Sequence, residues 1–347
     1  MSPDFPLRQA ERLAPPYASA EAIAARDNNN LYLTSRFFRS PERYKAFCAF
    51  YALMRIVDDR IDDIPDRIHL SERSRSREHA VVSAWEASVL SCYEGRRPSR
   101  DVVERCGHPD AALLLEAFAE SLVAFPAPCR LWVDFFRSMH WDLDHDRFAT
   151  WQDFLAYAEG ASVSPTTIYL FLLASPPRHP SGARPLPAGF DLSTCGRQLG
   201  IFAYVGHVVR DIAEDLRMGR RGLLYLTNED MAAHGVTEDT LRSDLKRERA
   251  SVATRHLVAE LLGRARSFLG RGRASLAPLW GNVDGDCAFI VDLIVTMYER
   301  VIDKIERCGF DPLTGQHRLT PTEKGAVVQE VARRVRVEPT TLRGSAQ

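Results

Sequence analysis

The chain has 347 residues, 45% hydrophobic, 26% charged and 9% aromatic, the profile of a globular protein with ample material for a core. Its 45 basic and 46 acidic residues leave a net charge of −1, which excludes bulk attraction to nucleic acid or to an anionic membrane, so any charge logic is local. Seven cysteines with no CxxC or zinc-finger spacing read as reduced, buried thiols of a cytoplasmic protein. The opening stretch "MSPDFPLRQAERLAPPYA" has an early acid and no apolar core, so no signal peptide is expected. The most apolar run, "TIYLFLLA" at 167–174, is too short to span a bilayer. Peripheral contact with a membrane that holds a greasy substrate or product stays compatible with this composition.

Helical periodicity dominates nearly every long segment, with no repeat period and no strand alternation, so the expected fold class is all-α. In chain order, the patterns predict helices over about 18–27, 41–64, 73–94, 109–123, 128–144, 151–174, 193–218, 229–232, 237–245, 252–276, 284–307 and 321–334. "SPPRHPSGARPLPAGFD" at 175–191 is Pro/Gly-rich and reads as an exposed loop between two core helices. Matching chemistry lies on both sides of it, so residues 1–335 are expected to form a single domain, followed by a flexible tail at 336–347.

The second predicted helix ends in "YALMRIVDDRIDDIPD" (51–66), where Asp58, Asp59, Asp62 and Asp63 crowd the last turns before Pro65. The helix dipole disfavours negative charge there. Steps of three and four from Tyr44 through Cys48, Tyr51 and Arg55 reach Asp58 and Asp62, so these acids continue the apolar, inward stripe. A surface acid cluster before a turn is the plain alternative. The layout recurs in "YVGHVVRDIAEDLRMG" (204–219), where Gly200, Tyr204, His207, Asp211 and Asp215 share a face and Gly219 follows as a stop. Arginine accompanies each cluster, as Arg55 and Arg210. Carboxylates grouped on inward faces repel unless a cation joins them. All-oxygen donors favour a hard ion, and Mg²⁺ bridging the chain to a diphosphate fits best. Zinc spacing is missing, none of the ten histidines has a Glu three residues before it for a di-iron bundle, and no Walker or GxGxxG loop is present.

These two stretches resemble the aspartate motifs of the squalene/phytoene synthase family, head-to-head isoprenoid synthases. The first reads Tyr51-Ala52-Leu53-Met54-Arg55-Ile56-Val57-Asp58-Asp59-Arg60-Ile61-Asp62, and the second runs from Arg210 to Arg220 as R-D-x-x-E-D-x-x-x-G-R. Softer matches run from about 28 to 326 and include "YLTSRFF", "SMHWDL", "FLAYAEGAS" and "MYERVIDKIERCGFD". The resemblance implies an isoprenoid-synthase helical bundle with a central cavity. It also implies Mg²⁺ held by Asp58, Asp62, Asp211 and Asp215, with Asp59 beside them. Arg55, Arg210, Tyr298 and Arg318 are then the groups expected around diphosphate oxygens. Tyr32, Tyr51, Tyr157, Tyr204 and His207 are expected in the substrate pocket, although each ring taken singly is equally an ordinary core residue.

The implied activity is Mg²⁺-dependent condensation of two allylic prenyl diphosphates, C15 or C20, through a cyclopropyl intermediate to a squalene- or phytoene-type product. A terpene synthase ionising one prenyl diphosphate on the same scaffold, and a non-catalytic assembly factor, are the competing readings. Departures from the family pattern concentrate on the cavity lining: Tyr204 and His207 stand where Gln and Asn are usual. Glu159 and Pro165 enter the "YAEGASVSP" helix, Asn29 to Tyr32 replace a Ser-x-Ser-Phe, Gln316 replaces an arginine, and the segment 219–227 is three residues longer without its proline.

Overall fold

The computed structural model describes residues 13–26, 30–64, 69–176, 186–217, 225–313 and 317–335. Their helices, in chain order, are α1 (Pro15–Ala24), α2 (Asn30–Ser35), α3 (Pro41–Asp62), α4 (Glu72–Tyr93), α5 (Arg100–Arg105), α6 (Ala111–Ala124), α7 (Cys129–Asp144), α8 (Trp151–Ala158), α9 (Ser164–Ala174), α10 (Leu192–Arg217), α11 (Asn228–Ala233), α12 (Glu238–Lys246), α13 (Val252–Ser275), α14 (Gly285–Arg307) and α15 (Pro321–Arg334). No strand occurs among the described residues; one isolated parallel bridge joins Phe148 to Thr227. The fold class is all-α, as the periodicity predicts.

Local chemistry sets several helix starts. Ser40 accepts the Arg43 N–H and Pro41 occupies the first turn of α3, while Thr150, Thr237 and Thr320 form capping boxes for α8, α12 and α15. Short α2 and α5, of six residues each, lie below the length at which periodicity is readable and were not among the expected helices. Three regions named from sequence fall outside the described residues: Pro65, the 218–224 segment with Gly219, and Gln316. So do Asn29, most of the Pro/Gly-rich loop, and the tail.

The predicted helix 151–174 runs without a break but is not α-helical throughout. Between α8 and α9, residues Glu159–Val163 form one wide π-type turn, in which Ser164 N–H donates to Glu159 O five residues back. Pro165 explains it, because proline lacks the N–H that would close the α ladder at that point. The Ser164 hydroxyl adds a 2.9 Å bond to Glu159 O. The turn presses on two neighbours through glycine contacts. A Cβ on Gly160 would stand 2.1 Å from Asp134 O of α7, and one on Gly200 would stand 2.8 Å from Val163 Cα. Helices α7, α9 and α10 can converge here only because those positions carry no side chain.

One cluster of buried apolar residues runs from Ala20 to Val331. At its centre α10 packs on α9, α13 and α14, while α3 packs on α1, α6 and α9. Arg43, 3% exposed, pins this arrangement: it donates to Leu172 O (3.1 Å) and Ser175 O (3.1 Å) at the end of α9 and to Asp284 Oδ2 (2.6 Å) at the start of α14. It satisfies carbonyls that the end of a helix leaves open. Gly160→Ala is expected to cost about 1–3 kcal/mol by overpacking against the α7 backbone, measured as a lower urea midpoint at unchanged slope.

Candidate active site

Helices α3, α9, α10 and α14 enclose a cavity of about 390 Å³. Asp58 and Asp62 enter it from α3, and Asp211 and Asp215 from α10. All four sit on the wall of one space, at its polar end. The spacing of three and four residues that places Tyr51, Arg55, Asp58 and Asp62 on one α3 face also turns Tyr204, His207, Asp211 and Asp215 inward on α10. The other end is apolar, formed by Leu170, Leu173, Leu199, Val291, Ile294 and Val295.

The acids divide by partner. On α10, the Arg210 guanidinium grips Asp211 with two nitrogens, Nε at 2.8 Å, and Arg318 Nη2 reaches the same carboxylate at 3.3 Å and Glu214 at 2.5 Å. Burial alone would raise the Asp211 carboxyl, but Arg210's hydrogen bond and charge hold it below the usual range. On α3, Arg55 is divided between Asp58 (3.2 Å) and Asp59, which Arg26 also approaches at 3.7 Å. Asp58 therefore has too little cation nearby: burial first, then the neighbouring Asp62 charge, raises its carboxyl well above the usual range against the pull of Arg55. Arginine therefore offsets Asp58 on α3 less fully than Asp211 on α10.

His207 is neutral at ordinary pH. Burial, reinforced by Arg210, lowers its imidazole to about 3, and its ring lies 4.9 Å from that of Tyr298. A neutral imidazole can donate one hydrogen bond to an anion without adding charge. Lys324, close to Arg318 and Arg210, is lowered by burial and by those two charges.

Tyr204 stacks on Phe154 (5.5 Å, 18°) and lies 6.1 Å from both Tyr157 and Tyr225, giving the cavity an aromatic wall beside its acids. The Tyr157 hydroxyl donates to Asp142 Oδ2 at 2.8 Å. Asp142, 4% exposed, belongs to the "SMHWDL" stretch but was not singled out from sequence, because a lone acid on an amphipathic helix carries no distinguishing pattern. Pro165 lines the cavity as the departures from the family pattern imply, and Tyr225, Thr166 and Tyr169 also line it without having been expected there.

Of the expected site residues, Arg55, Tyr51, Tyr157, Tyr204, His207 and Tyr298 stand on the cavity wall with the four aspartates. Tyr32 does not: it is buried and interacts with Tyr44, while its neighbour Leu31 lines the space. The short α2 sets this rotation, which periodicity could not supply. Asp59, Arg210 and Arg318 surround the acids without lining the cavity, and Arg318 is 60% exposed at the mouth. Glu159, introduced into the α8–α9 segment, points away to an ion pair with Arg197 (2.5 Å) and leaves the cavity unchanged. Among the described residues, no helix is long and apolar enough to cross a membrane.

This architecture has known counterparts. The squalene/phytoene synthase family matches residues 24–324. The chain belongs to the squalene/phytoene synthase family. Among curated relatives of the family, the chain is 23% identical to the 15-cis-phytoene synthase of Synechococcus elongatus, covering 90% of each chain. It is 22% identical to the chloroplastic phytoene synthase 1 of Arabidopsis thaliana, covering 83% of this chain and 60% of that protein. It thus spans under two thirds of that plant relative. A dehydrosqualene synthase structure in complex with ligand superposes with a TM-score of 0.70 at 20% identity, over 93% of this chain and 97% of that one. A squalene synthase from Alicyclobacillus acidocaldarius gives 0.64 at 17%, over 85% and 94%. At these identities the structures establish a shared isoprenoid-synthase fold.

Because the folded chain raises the Asp58 carboxyl, that group favours the fold below its unfolded value and opposes it as pH rises through the raised one. Asp58→Asn is therefore expected to stabilise the metal-free chain at pH 8 by up to about 1 kcal/mol after solvent screening, with the gain vanishing near pH 4. Thermal melts at both pH values read this, and an equal effect at both would contradict the incomplete offset assigned to Asp58.

Proposed function

We propose that the chain is a Mg²⁺-dependent prenyltransferase that joins two allylic prenyl diphosphates, C15 or C20, head to head into a squalene- or phytoene-type product. The observation that carries this reading is the convergence of four aspartates from two helices at the polar end of an otherwise apolar, aromatic-walled cavity. The donor set fits the ion: all four groups are carboxylates, and the raised Asp58 carboxyl is one that a hard cation would return to its charged form. Asp58 and Asp62 on one side, and Asp211 and Asp215 on the other, would hold it. Bound there, Mg²⁺ would neutralise a diphosphate and stabilise it as a leaving group.

The chain's own residues supply the rest. Arg55, Arg210 and Arg318 are guanidiniums around the acids, so an arriving diphosphate exchanges carboxylate partners for phosphate oxygens in forked hydrogen bonds. Tyr298 and neutral His207 are placed to donate to the same anion. When the allylic C–O bond of one donor breaks, the electron pair leaves with diphosphate and a carbocation remains. The 2,3-double bond of the second donor attacks it, and a proton is lost to close the cyclopropyl ring. Tyr157, Tyr204 and Tyr225 line the cavity and would stabilise that cation through their rings, while Leu170, Leu199 and Ile294 would exclude water from its tails.

Asp58→Ala or Asp211→Ala is expected to lower turnover at least about hundredfold, with the helical circular dichroism spectrum unchanged; Mg²⁺-dependent diphosphate release measures it. Full activity in either variant would remove the assignment. Incubation with C10, C15 and C20 diphosphates and mass spectrometry of extracts tests the reaction: a C30 or C40 hydrocarbon, or its cyclopropyl diphosphate, is expected, whereas a C15 or C20 terpene formed from one donor overturns head-to-head joining. Tyr204→Gln, which removes the ring stacked on Phe154, is expected to change the ratio of products while diphosphate release persists.

A further inference from the structure

Away from the cavity, α4 and α7 face each other through five titratable side chains, of which Arg75 on α4 lies 3.7 Å from Asp144 Oδ1 and donates to Leu143 O. His79 and Glu86 lie two turns apart on one face of α4, and His140 and Asp144 one turn apart on α7. His79 Nδ1 is 2.8 Å from His140 Nδ1. The ring planes differ by 17° and the ring centres are 5.1 Å apart, roughly the nitrogen–nitrogen distance plus two ring radii. The imidazoles therefore meet edge to edge, with their Nδ1 atoms aimed at one another.

The outer nitrogens face carboxylates. His79 Nε2 lies 2.9 Å from Asp144 Oδ1, and His140 Nε2 lies 3.9 Å from Glu86 Oε2. A carboxylate draws the ring proton to the nitrogen it faces, which is the orientation that metal-ligating histidines adopt. The Asp144 contact biases His79 to carry hydrogen on Nε2 and a lone pair on Nδ1, while Glu86 faces the corresponding nitrogen of His140 from beyond hydrogen-bond distance. The His79 lone pair is thus met by His140 Nδ1, which donates to it when it carries its hydrogen and can share a metal ion with it when the hydrogen moves to Nε2.

We propose that His79 and His140 bind a divalent transition-metal ion, Zn²⁺ or Ni²⁺, through their Nδ1 atoms, with Asp144 and Glu86 as outer carboxylates and water completing the coordination. Zinc–nitrogen bonds of about 2.0–2.1 Å at a tetrahedral angle require the two nitrogens to separate by about half an ångström and the rings to turn off their head-on alignment. The side chains are 28% and 27% exposed, so both that adjustment and entry of a hydrated ion are open. In the metal-free pair one Nδ1–H donates to the other Nδ1, so a single hydrogen fills the same place at the 2.8 Å contact. Proton and metal compete there, and metal affinity falls in acid.

Ligand softness separates this site from the aspartate cavity: imidazole suits zinc and nickel, and carboxylates suit magnesium. A second group of potential ligands, Asp284, Asp286 and Cys287, is engaged elsewhere. Asp284 pairs with Arg43 at 2.6 Å, and Asp286 accepts the Arg39 N–H at 2.8 Å. An ion on the histidine pair would tie α4 to α7, the helix whose Asp142 holds Tyr157.

Calorimetric titration of the full chain with Zn²⁺ tests the site independently of any turnover. One Zn²⁺ per chain is expected at pH 7.5. Affinity should fall more than tenfold in His79→Gln and in His140→Gln, about 10–100-fold in Asp144→Asn, and on lowering the pH to 5.5, while Asp58→Asn leaves it unchanged. Melting curves without metal establish that each variant folds, and Asp144→Asn carries the test if a histidine variant does not. Absence of Zn²⁺ binding by the wild-type chain, leaving the hydrogen bond only, overturns the proposal. So does binding that survives both histidine changes or is lost with Asp58→Asn.

Discussion

The site depends on holding like charges, half-buried, at the wrong end of two helices. Asp58 and Asp62 lie in the last turns of α3, and Asp211 and Asp215 in the last turns of α10. There the helix dipole opposes them, and their neighbours repel them. Such a placement persists only if the rest of the fold overrides it. Apolar burial along both helices does so: Phe47, Phe50, Leu53 and Val57 on α3, and Ile201, Phe202, Val205 and Val209 on α10, are nearly inaccessible. The acids are carried into the interior by stripes that must be buried for other reasons.

Arginine then sets the two halves apart. The guanidinium of Arg210 is committed to Asp211, and Arg318 joins it from the segment before α15. Lys304 fixes that segment by donating to Arg318 O, and Thr320 caps the helix behind it. Arg55 divides itself between two acids and leaves Asp58 only partly compensated. Charge stored in this unequal way gives an incoming cation a preferred side and gives an incoming anion arginines that it can recruit. Under the proposed function, binding of both at once would remove the imbalance.

The irregular passage from α8 to α9 shapes the cavity's aromatic wall. A straight helix from 151 to 174 would leave Pro165 without a ladder partner. The wide turn absorbs that missing bond, and Gly160 lets it sit against α7. Tyr157, one residue before the end of α8, is thereby brought over Asp142, and its hydroxyl bond fixes the ring beside Tyr204 and Tyr225. Turns of this type occur often at functional sites, because they redirect one side chain without ending the helix.

The all-α class, most helix positions, both acid stripes and the family were legible in the sequence, because each rests on spacing along one helix or on a contiguous motif. The inward direction of Asp58, Asp62, Asp211 and Asp215 followed from the same three-and-four step that orders the core. Contacts between helices were not legible. That Tyr32 turns toward Tyr44 while Leu31 takes the wall, that Glu159 leaves for Arg197, that Asp142 holds Tyr157, and that His79 meets His140 all depend on how separate helices rotate against one another. A single helix period states which residues share a face; only packing decides what that face meets.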